Sequence, residues 1–227
     1  MKYTHIFFDA DETLFSFNAK LGLQTLFAHH GIEFTDEDYQ NYQAINAPLW
    51  IKYQHGEIDA RTLQVTRFKT WSKRLNIPAE QLNDGFLAAM AEICEPLPGA
   101  RDLLARLKPK ATLGIITNGF AALQQRRLAH TGLAGCFKTI VISELVGHAK
   151  PDPRIFAKAF NDVGNPEKEK VLMVGDTATS DILGANQFGI DSCWLQHPGS
   201  ECPQHINPTY TVKNLAELDY LLLGELN

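Results

Sequence analysis

Short apolar runs alternate with helical patterns along most of the chain and predict an α/β fold. Five runs, rich in β-branched or aromatic residues, predict buried strands at residues 3–8, 112–116, 139–142, 171–174 and 192–195. Helical patterns separate the later runs, at residues 121–130, 153–163 and 181–188. Strands that alternate with helices predict a parallel sheet covered by helices on both faces.

About a hundred residues separate the first two predicted strands, far more than an ordinary crossover needs. Leu23, Leu26 and Phe27 follow the spacing of an amphipathic helix, and Thr35 with Asp38 forms a capping-box pattern. We therefore predict a helical cap domain at residues 16–96, inserted into a core domain made of residues 1–15 and 97–227.

Composition and charge narrow the class of protein. The chain has 227 residues, of which 44% are hydrophobic and 21% charged, and this balance is typical of a soluble globular protein. Its net charge of -5 argues against binding a nucleic-acid polymer or an anionic membrane, because both need basic surfaces. No apolar stretch approaches the roughly 20 residues that span a bilayer, and no signal peptide is recognisable.

Cysteines and histidines give no metal-ligand pattern. The four cysteines form no C-x-x-C pair, so we expect reduced thiols and a cytoplasmic protein. The eight histidines show no ligand spacing and are expected at the surface or in packing.

Acidic residues follow two of the predicted strands. Asp9 and Asp11 end the first strand and point the same way, because side chains at i and i+2 share one face of an extended chain. Asp176 ends the fourth strand and Asp181 follows it in the next helix. Two carboxylates about 4 Å apart repel by roughly 4 kcal/mol at an effective dielectric near 20. If the two strands are neighbours, the cluster needs a cation, and an all-oxygen site with few protein ligands suits Mg²⁺.

Further polar residues are suited to holding a phosphate group. Thr117 and Asn118 follow the second strand, and Lys150 lies beyond the third. A hydroxyl, turn amides and an ammonium can all bind phosphate oxygens. Together with the aspartates, they predict a phosphoryl-transfer site in which a carboxylate is the nucleophile.

The chain resembles the haloacid dehalogenase superfamily in four motifs that occur in the same order and spacing. These are FFDADET, IITNG, the lysine before Pro151, and VGDTATSD. The DADETLF, PLPGA, GIITNG, VLMVGDT and SDILG stretches are most similar to its pyrimidine 5′-nucleotidase subgroup. The resemblance spans essentially the whole chain and implies a Rossmann-like core with an inserted helical cap.

The resemblance also implies a role for each motif residue. Asp9 is then the nucleophile and Asp11 the general acid and base. The metal ligands are then Asp9, the Asp11 carbonyl and Asp176, with Asp181 in or near the same shell, and the phosphate-binding residues are Thr117, Asn118 and Lys150. We expect Mg²⁺ as cofactor, with Mn²⁺ or another divalent cation able to substitute.

Positions 11 and 13 favour a phosphatase within the superfamily. Its dehalogenases lack an aspartate at position 11, and its phosphomutases tend to have valine where this chain has Thr13. We expect a phosphomonoester hydrolase that acts through an aspartyl-phosphate, preferring deoxypyrimidine 5′-nucleotides such as dUMP and dTMP. Glu12 departs from the glycine that is commoner at its position.

Several alternatives stay open from sequence alone. One is a phosphatase of another small metabolite, such as a sugar phosphate, and another is a non-catalytic binding protein on the same fold. A receiver domain also combines acidic residues, a threonine and a lysine, but it is shorter and places its phosphorylated aspartate after a later strand. The oligomeric state is not predicted.

Overall fold

A six-stranded parallel sheet forms the core of the computed structural model, which describes residues 1–224. The strands are β1 (His5–Phe8), β2 (Thr112–Thr117), β3 (Thr139–Ile142), β4 (Val171–Gly175), β5 (Asp191–Leu195) and β6 (Tyr210–Val212). Their order is β3-β2-β1-β4-β5-β6, so β1 lies between β2 and β4. The predicted α/β class is confirmed, as are all five predicted strands.

Helices connect the strands and continue through the long insertion. They are α1 (Ala19–Ala28), α2 (Asp36–Gln54), α3 (Ala60–Thr66), α4 (Lys69–Leu75), α5 (Ala79–Glu92), α6 (Ala100–Leu107), α7 (Ala121–Thr131), α8 (Ser143–Val146), α9 (Pro153–Asp162), α10 (Leu183–Phe188) and α11 (Leu215–Leu223). Within residues 1–224, none of the helices combines the length and apolar character needed to cross a bilayer.

The central strands are buried along their length, which explains why they read as continuous apolar runs. Every residue of β4 is buried, as are the last three of β1. On one side, Phe7 and Met173 pack with Phe156 and Phe160 of α9 in a hydrophobic cluster.

The described chain divides into two compact units. The first comprises residues 1–16, 95–119 and 131–227 and contains the sheet. The second comprises residues 17–94 and 120–130 and contains α1 to α5 with most of α7. The predicted domain division, at residues 16 and 96, stays a prediction, and these units differ from it by adding residues 120–130 to the helical part.

An aromatic cluster stabilises the helical unit. Phe27 stacks on Phe34 with their ring centroids 4.9 Å apart, and the Trp71 ring centroid lies 4.2 Å from that of Phe27.

The capping box predicted from Thr35 and Asp38 is present at the start of α2. Each partner satisfies a backbone N–H that the first helical turn would otherwise leave unpaired.

One local prediction needs correction, and one strand was missed. The helix predicted from residue 181 begins instead with a turn of π-helix, Ala178–Ile182, followed by α10. Strand β6 has only three residues, too few to show a periodic pattern.

Gly114 leaves room for an aromatic ring in the middle of the sheet. It lies on β2, in register with Phe7 of β1 and Thr139 of β3. A Cβ atom at this position would lie 2.8 Å from Cδ1 of Phe7 and 3.0 Å from Cγ2 of Thr139. The first distance is shorter than a carbon–carbon contact allows and the second is tight, so a side chain here would displace the Phe7 ring.

We therefore predict that Gly114→Ala lowers the free energy of unfolding by about 1–3 kcal/mol, the usual cost of overpacking a core. Urea unfolding followed by circular dichroism would measure it. Gly135→Ala is the matched control, because nothing lies within 4 Å of a Cβ atom built there. An equal effect at both positions would contradict the packing argument.

Candidate active site

The carboxyl ends of β1 and β4 bring the predicted aspartates together. The two strands pair in parallel, and the Asp9 N–H continues the pairing by donating to the Val174 carbonyl at 2.8 Å. Asp176 follows the last residue of β4 directly. The expectation that these strands are neighbours is confirmed.

Three carboxylates form a compact group at this edge of the sheet. One oxygen each from Asp9, Asp176 and Asp181 lies within 4.8 Å of the others. Asp181 is completely buried and Asp9 is 8% exposed. The group does not include the Asp11 carboxylate, and the sequence prediction that Asp11 binds a metal through its carbonyl stays a prediction.

Lys150 supplies the positive charge nearest to these acids. Its Nζ donates to Asp9 Oδ1 at 2.6 Å, and lies 2.7 Å from Asp181 Oδ1. It also donates to the Ile116 carbonyl at 2.7 Å, so three oxygens surround the ammonium. The side chain is only 2% exposed, which places a fully paired cation inside the protein.

Asn118 holds Lys150 through the main chain. Its Oδ1 accepts from the Lys150 N–H at 2.7 Å, and its Nδ2 donates to the Lys150 carbonyl at 3.0 Å. Both polar groups of the Asn118 side chain are thus used in positioning the lysine. The Thr117 hydroxyl, which is nearly buried, accepts from the Gly119 N–H at 3.0 Å and closes the turn after β2.

Asp11 lies in a tight turn just after β1. The N–H groups of Leu14 and Phe15 both donate to the Ala10 carbonyl at 3.0 Å. Thr13 is buried in this turn, and its hydroxyl lies 3.4 Å from Asp176 Oδ1. The turn therefore connects the first acidic pair with the acid that follows β4.

The group carries more negative than positive charge, and its pKa values reflect that. Burial raises the pKa of Asp9 to about 7. The positive charge of Lys150 opposes this rise, and the negative charges of Asp181 and Asp11 add to it. Burial raises the pKa of Asp176 to about 8, with further increases from Asp181 and Asp9. Burial would lower the pKa of Lys150, but the charges of Asp181 and Asp9 outweigh it and raise that pKa.

Two residues that sequence reasoning missed shape the site. A Cβ atom on Gly175 would lie 2.3 Å from Asp181 Oδ2, so only glycine leaves space for that carboxylate. The position of Gly175 between a strand and an aspartate could have predicted this role. Trp194 of β5 donates from Nε1 to the Asp176 carbonyl at 2.7 Å, and no local sequence pattern predicts this contact.

The arrangement is suited to covalent chemistry on a carboxylate. Asp9 is nearly buried, oriented by Lys150 and next to further acids that can bind a cation. A carboxylate in such surroundings can attack an electrophilic phosphorus or carbon atom. Oxygen ligands alone favour a hard divalent cation over zinc or copper.

Comparison with known proteins identifies the family. The sequence model of the haloacid dehalogenase-like hydrolases matches residues 3–189, which include the four aspartates, Thr117, Asn118 and Lys150. This chain belongs to the haloacid dehalogenase-like hydrolase family. The family predicted from the four motifs is confirmed.

Relatives from three bacteria match almost the whole chain. It is 54% identical to the pyrimidine 5′-nucleotidase YjjG of Escherichia coli, over 98% of this chain and 99% of that protein. It is 33% identical to the pyrimidine 5′-nucleotidase PynA of Streptococcus pneumoniae, over 96% of this chain and 94% of that one. The solved structure of the hydrolase YfnB of Bacillus subtilis, bound to magnesium, superposes with a TM-score of 0.84 at 30% identity and covers 99% of this chain and 100% of that one.

The raised pKa values predict a pH-dependent stability. Between the ordinary aspartate pKa of 3.8 and the raised values near 7 and 8, the folded protein binds more protons than the unfolded chain. The free energy of unfolding should therefore fall as pH rises from about 5 to about 8 in EDTA, because stability decreases with pH wherever the folded state binds more protons.

Urea unfolding at several pH values would test this expectation. Asp176→Asn removes one of the two acids with a raised pKa and lowers the repulsion on the other, Asp9. The free energy of unfolding of this variant should therefore fall less steeply over the same pH range. Other titrating groups contribute equally to the slope of stability against pH in the wild type and in the variant, so their contribution cancels in the difference between the two slopes. Parallel slopes for the two proteins would contradict the assignment.

Proposed function

We propose that this chain is a magnesium-dependent phosphatase of the cytoplasm that hydrolyses nucleoside 5′-monophosphates, preferring deoxypyrimidine nucleotides such as dUMP and dTMP. The observation that carries the substrate class is the full-length similarity to two pyrimidine 5′-nucleotidases, one of them 54% identical. The chemistry of the site supports the reaction class independently.

Asp9 is the nucleophile in this proposal. Its carboxylate attacks the phosphorus atom, the ester oxygen leaves, and an aspartyl-phosphate forms on Asp9. Lys150 supports this role because it holds one Asp9 oxygen at 2.6 Å and so restricts how the carboxyl can turn. Water then attacks the phosphorus of the intermediate, which releases inorganic phosphate and regenerates Asp9.

Asp11 moves the protons in both steps. It first donates a proton to the leaving ester oxygen and then accepts one from the attacking water. Its position supports this role, since it lies two residues beyond Asp9 in a turn closed by main-chain hydrogen bonds. It is also half-buried, whereas Asp9 is nearly inaccessible.

Thr117, Asn118 and Lys150 would hold the phosphoryl group. The Thr117 hydroxyl and the main-chain N–H of Asn118 are the donors that we assign to its oxygens. The Asn118 side chain is already committed to the Lys150 backbone, so its part in binding is to fix the lysine. Lys150 donates to three protein oxygens and acts mainly as a fixed positive charge.

Asp9, the Asp11 carbonyl, Asp176 and Asp181 would hold the magnesium ion. The donor set fits, because three carboxylate oxygens lie within 4.8 Å of one another and every ligand is an oxygen. When bound, the cation supplies positive charge that offsets the carboxylates and the phosphoryl oxygens. Mn²⁺ accepts the same oxygen ligands, and we expect it to substitute.

A panel of phosphomonoesters with released phosphate as the readout tests the function. We predict the highest kcat/KM for dUMP or dTMP, lower values for purine nucleotides and sugar phosphates, and poor hydrolysis of nucleoside triphosphates. EDTA should abolish the activity and added Mg²⁺ or Mn²⁺ should restore it. The highest kcat/KM on a hexose phosphate would reject the substrate class, and full activity in metal-free enzyme would reject the mechanism.

A trapped intermediate separates the roles of the two aspartates. Asp11→Asn removes both proton transfers, each typically worth roughly 10²–10⁴-fold in rate. With p-nitrophenyl phosphate the leaving group needs little protonation, so we predict one stoichiometric burst of nitrophenol followed by a stalled phosphoenzyme. Intact-protein mass spectrometry at acid pH should show one added phosphoryl group.

Asp9→Asn is the control for this experiment, because it lacks the attacking carboxylate and should never become phosphorylated. Normal turnover by Asp11→Asn would show that Asp11 is not the base of the second step. Phosphorylation of Asp9→Asn would show that the nucleophile lies elsewhere.

A further inference from the structure

The turn that carries Asp11 contains a residue in an unfavourable backbone conformation. Glu12 has a φ of 53°, in the left-handed region that residues with a side chain rarely adopt. Its N–H donates to the Phe15 carbonyl at 2.7 Å, and this hydrogen bond closes the turn between residues 12 and 15. A non-glycine residue keeps this conformation only where its surroundings hold it there.

His197 supplies a contact from a distant part of the same compact unit. Its Nε2 lies 2.6 Å from the Glu12 carbonyl oxygen, although the two residues are 185 positions apart in sequence. A carbonyl oxygen can only accept, so Nε2 carries the hydrogen and donates it. The sequence analysis expected the histidines at the surface or in packing and did not predict this hydrogen bond of His197.

The segment around His197 is itself fixed to the sheet. His197 lies two residues beyond β5, and the N–H of the intervening Gln196 donates to the Val212 carbonyl of β6 at 2.8 Å. On the other side, the Ser200 N–H donates to the His197 carbonyl at 3.0 Å. The imidazole is half-buried and thus projects from an anchored loop.

We infer that His197 is a positioning residue for Asp11, a role that rests on the proposed function of Asp11 as general acid. The Glu12 carbonyl belongs to the residue directly after Asp11, so fixing it restricts the main chain that carries the acid. A general acid must lie within hydrogen-bond reach of the leaving oxygen. Small displacements of a catalytic group cost large factors in rate, and the His197 contact prevents such displacements.

A matched pair of substitutions isolates the hydrogen bond. In His197→Gln, the side-chain amide reaches about as far as Nε2 and can still donate to the Glu12 carbonyl. In His197→Asn, the amide is one carbon shorter and ends near the position of Nδ1, too far to donate. Both replacements are neutral and polar, so they differ mainly in reach.

Two aryl phosphates report on protonation of the leaving group. Phenyl phosphate releases phenol, whose pKa of about 10 resembles that of tyrosine, and this leaving group needs a general acid. The p-nitrophenyl ester is almost the same in shape but releases a much more acidic phenol that needs the acid little. The kcat/KM reports the steps up to and including phosphoryl transfer to the enzyme. The ratio of kcat/KM for the two esters does not depend on the fraction of enzyme that is folded, because that fraction affects both values equally.

We expect His197→Asn to lower kcat/KM for phenyl phosphate by about tenfold, the effect of losing one well-placed hydrogen bond. For p-nitrophenyl phosphate the loss should stay within about twofold. His197→Gln should keep both values within about twofold of the wild type. Equal losses on the two substrates, or equal behaviour of the two variants, would overturn the inference.

Asp11→Asn, measured alongside by the rate of its single burst on each ester, distinguishes this inference from the function on which it rests. If Asp11→Asn changes the substrate ratio and His197→Asn does not, the positioning role alone is wrong. If neither changes the ratio, the acid role of Asp11 fails and the inference fails with it. Wild-type enzyme that hydrolyses neither ester nor any nucleotide would refute the proposed function directly.

Discussion

The ammonium of Lys150 is the charge on which the arrangement of the site depends. Asp9 and Asp181 lie within 2.7 Å of it, and all three side chains are almost inaccessible. Removing one partner of a buried ion pair typically costs about 3–5 kcal/mol, because the other charge is left in a medium that solvates it poorly. The pairing of β1 with β4 brings the acids together, and this ammonium offsets part of the repulsion between them.

One lysine does not balance three carboxylates, and this imbalance gives the site its chemistry. The raised pKa values of Asp9 and Asp176 mean that the group favours additional positive charge, whether protons or a metal ion. In the proposed mechanism, a second cation would favour the ionised form of Asp9, which is the form that attacks. The same electrostatics thus explains a cost in stability and a capacity for metal binding, as expected where function conflicts with folding.

Much of this site was predictable from sequence because its residues follow strands. Asp9, Thr117 and Asp176 each come directly after or at the end of a buried apolar run, and parallel strands bring their ends to one edge. Lys150 follows no strand directly, and only its place in the order of motifs indicated it. The contacts of Trp194 and His197 were not predictable, since each donates to a main-chain carbonyl 18 or 185 residues away. Any residue type offers that acceptor, so no pattern in the sequence marks it.

These two donors hold the backbone at or next to an acid of the site without contacting its carboxylate. A hydrogen bond to a carboxylate oxygen, such as the one from Lys150 to Asp9, lowers the basicity of that oxygen and occupies one of its lone pairs. A hydrogen bond to the main-chain carbonyl restricts the backbone and does not itself use a carboxylate oxygen. Trp194 does this at Asp176, and His197 does it next to Asp11. Both project from the end of β5 or just beyond it, so this strand contributes none of the assigned acids, yet it holds the backbone from which two of them extend.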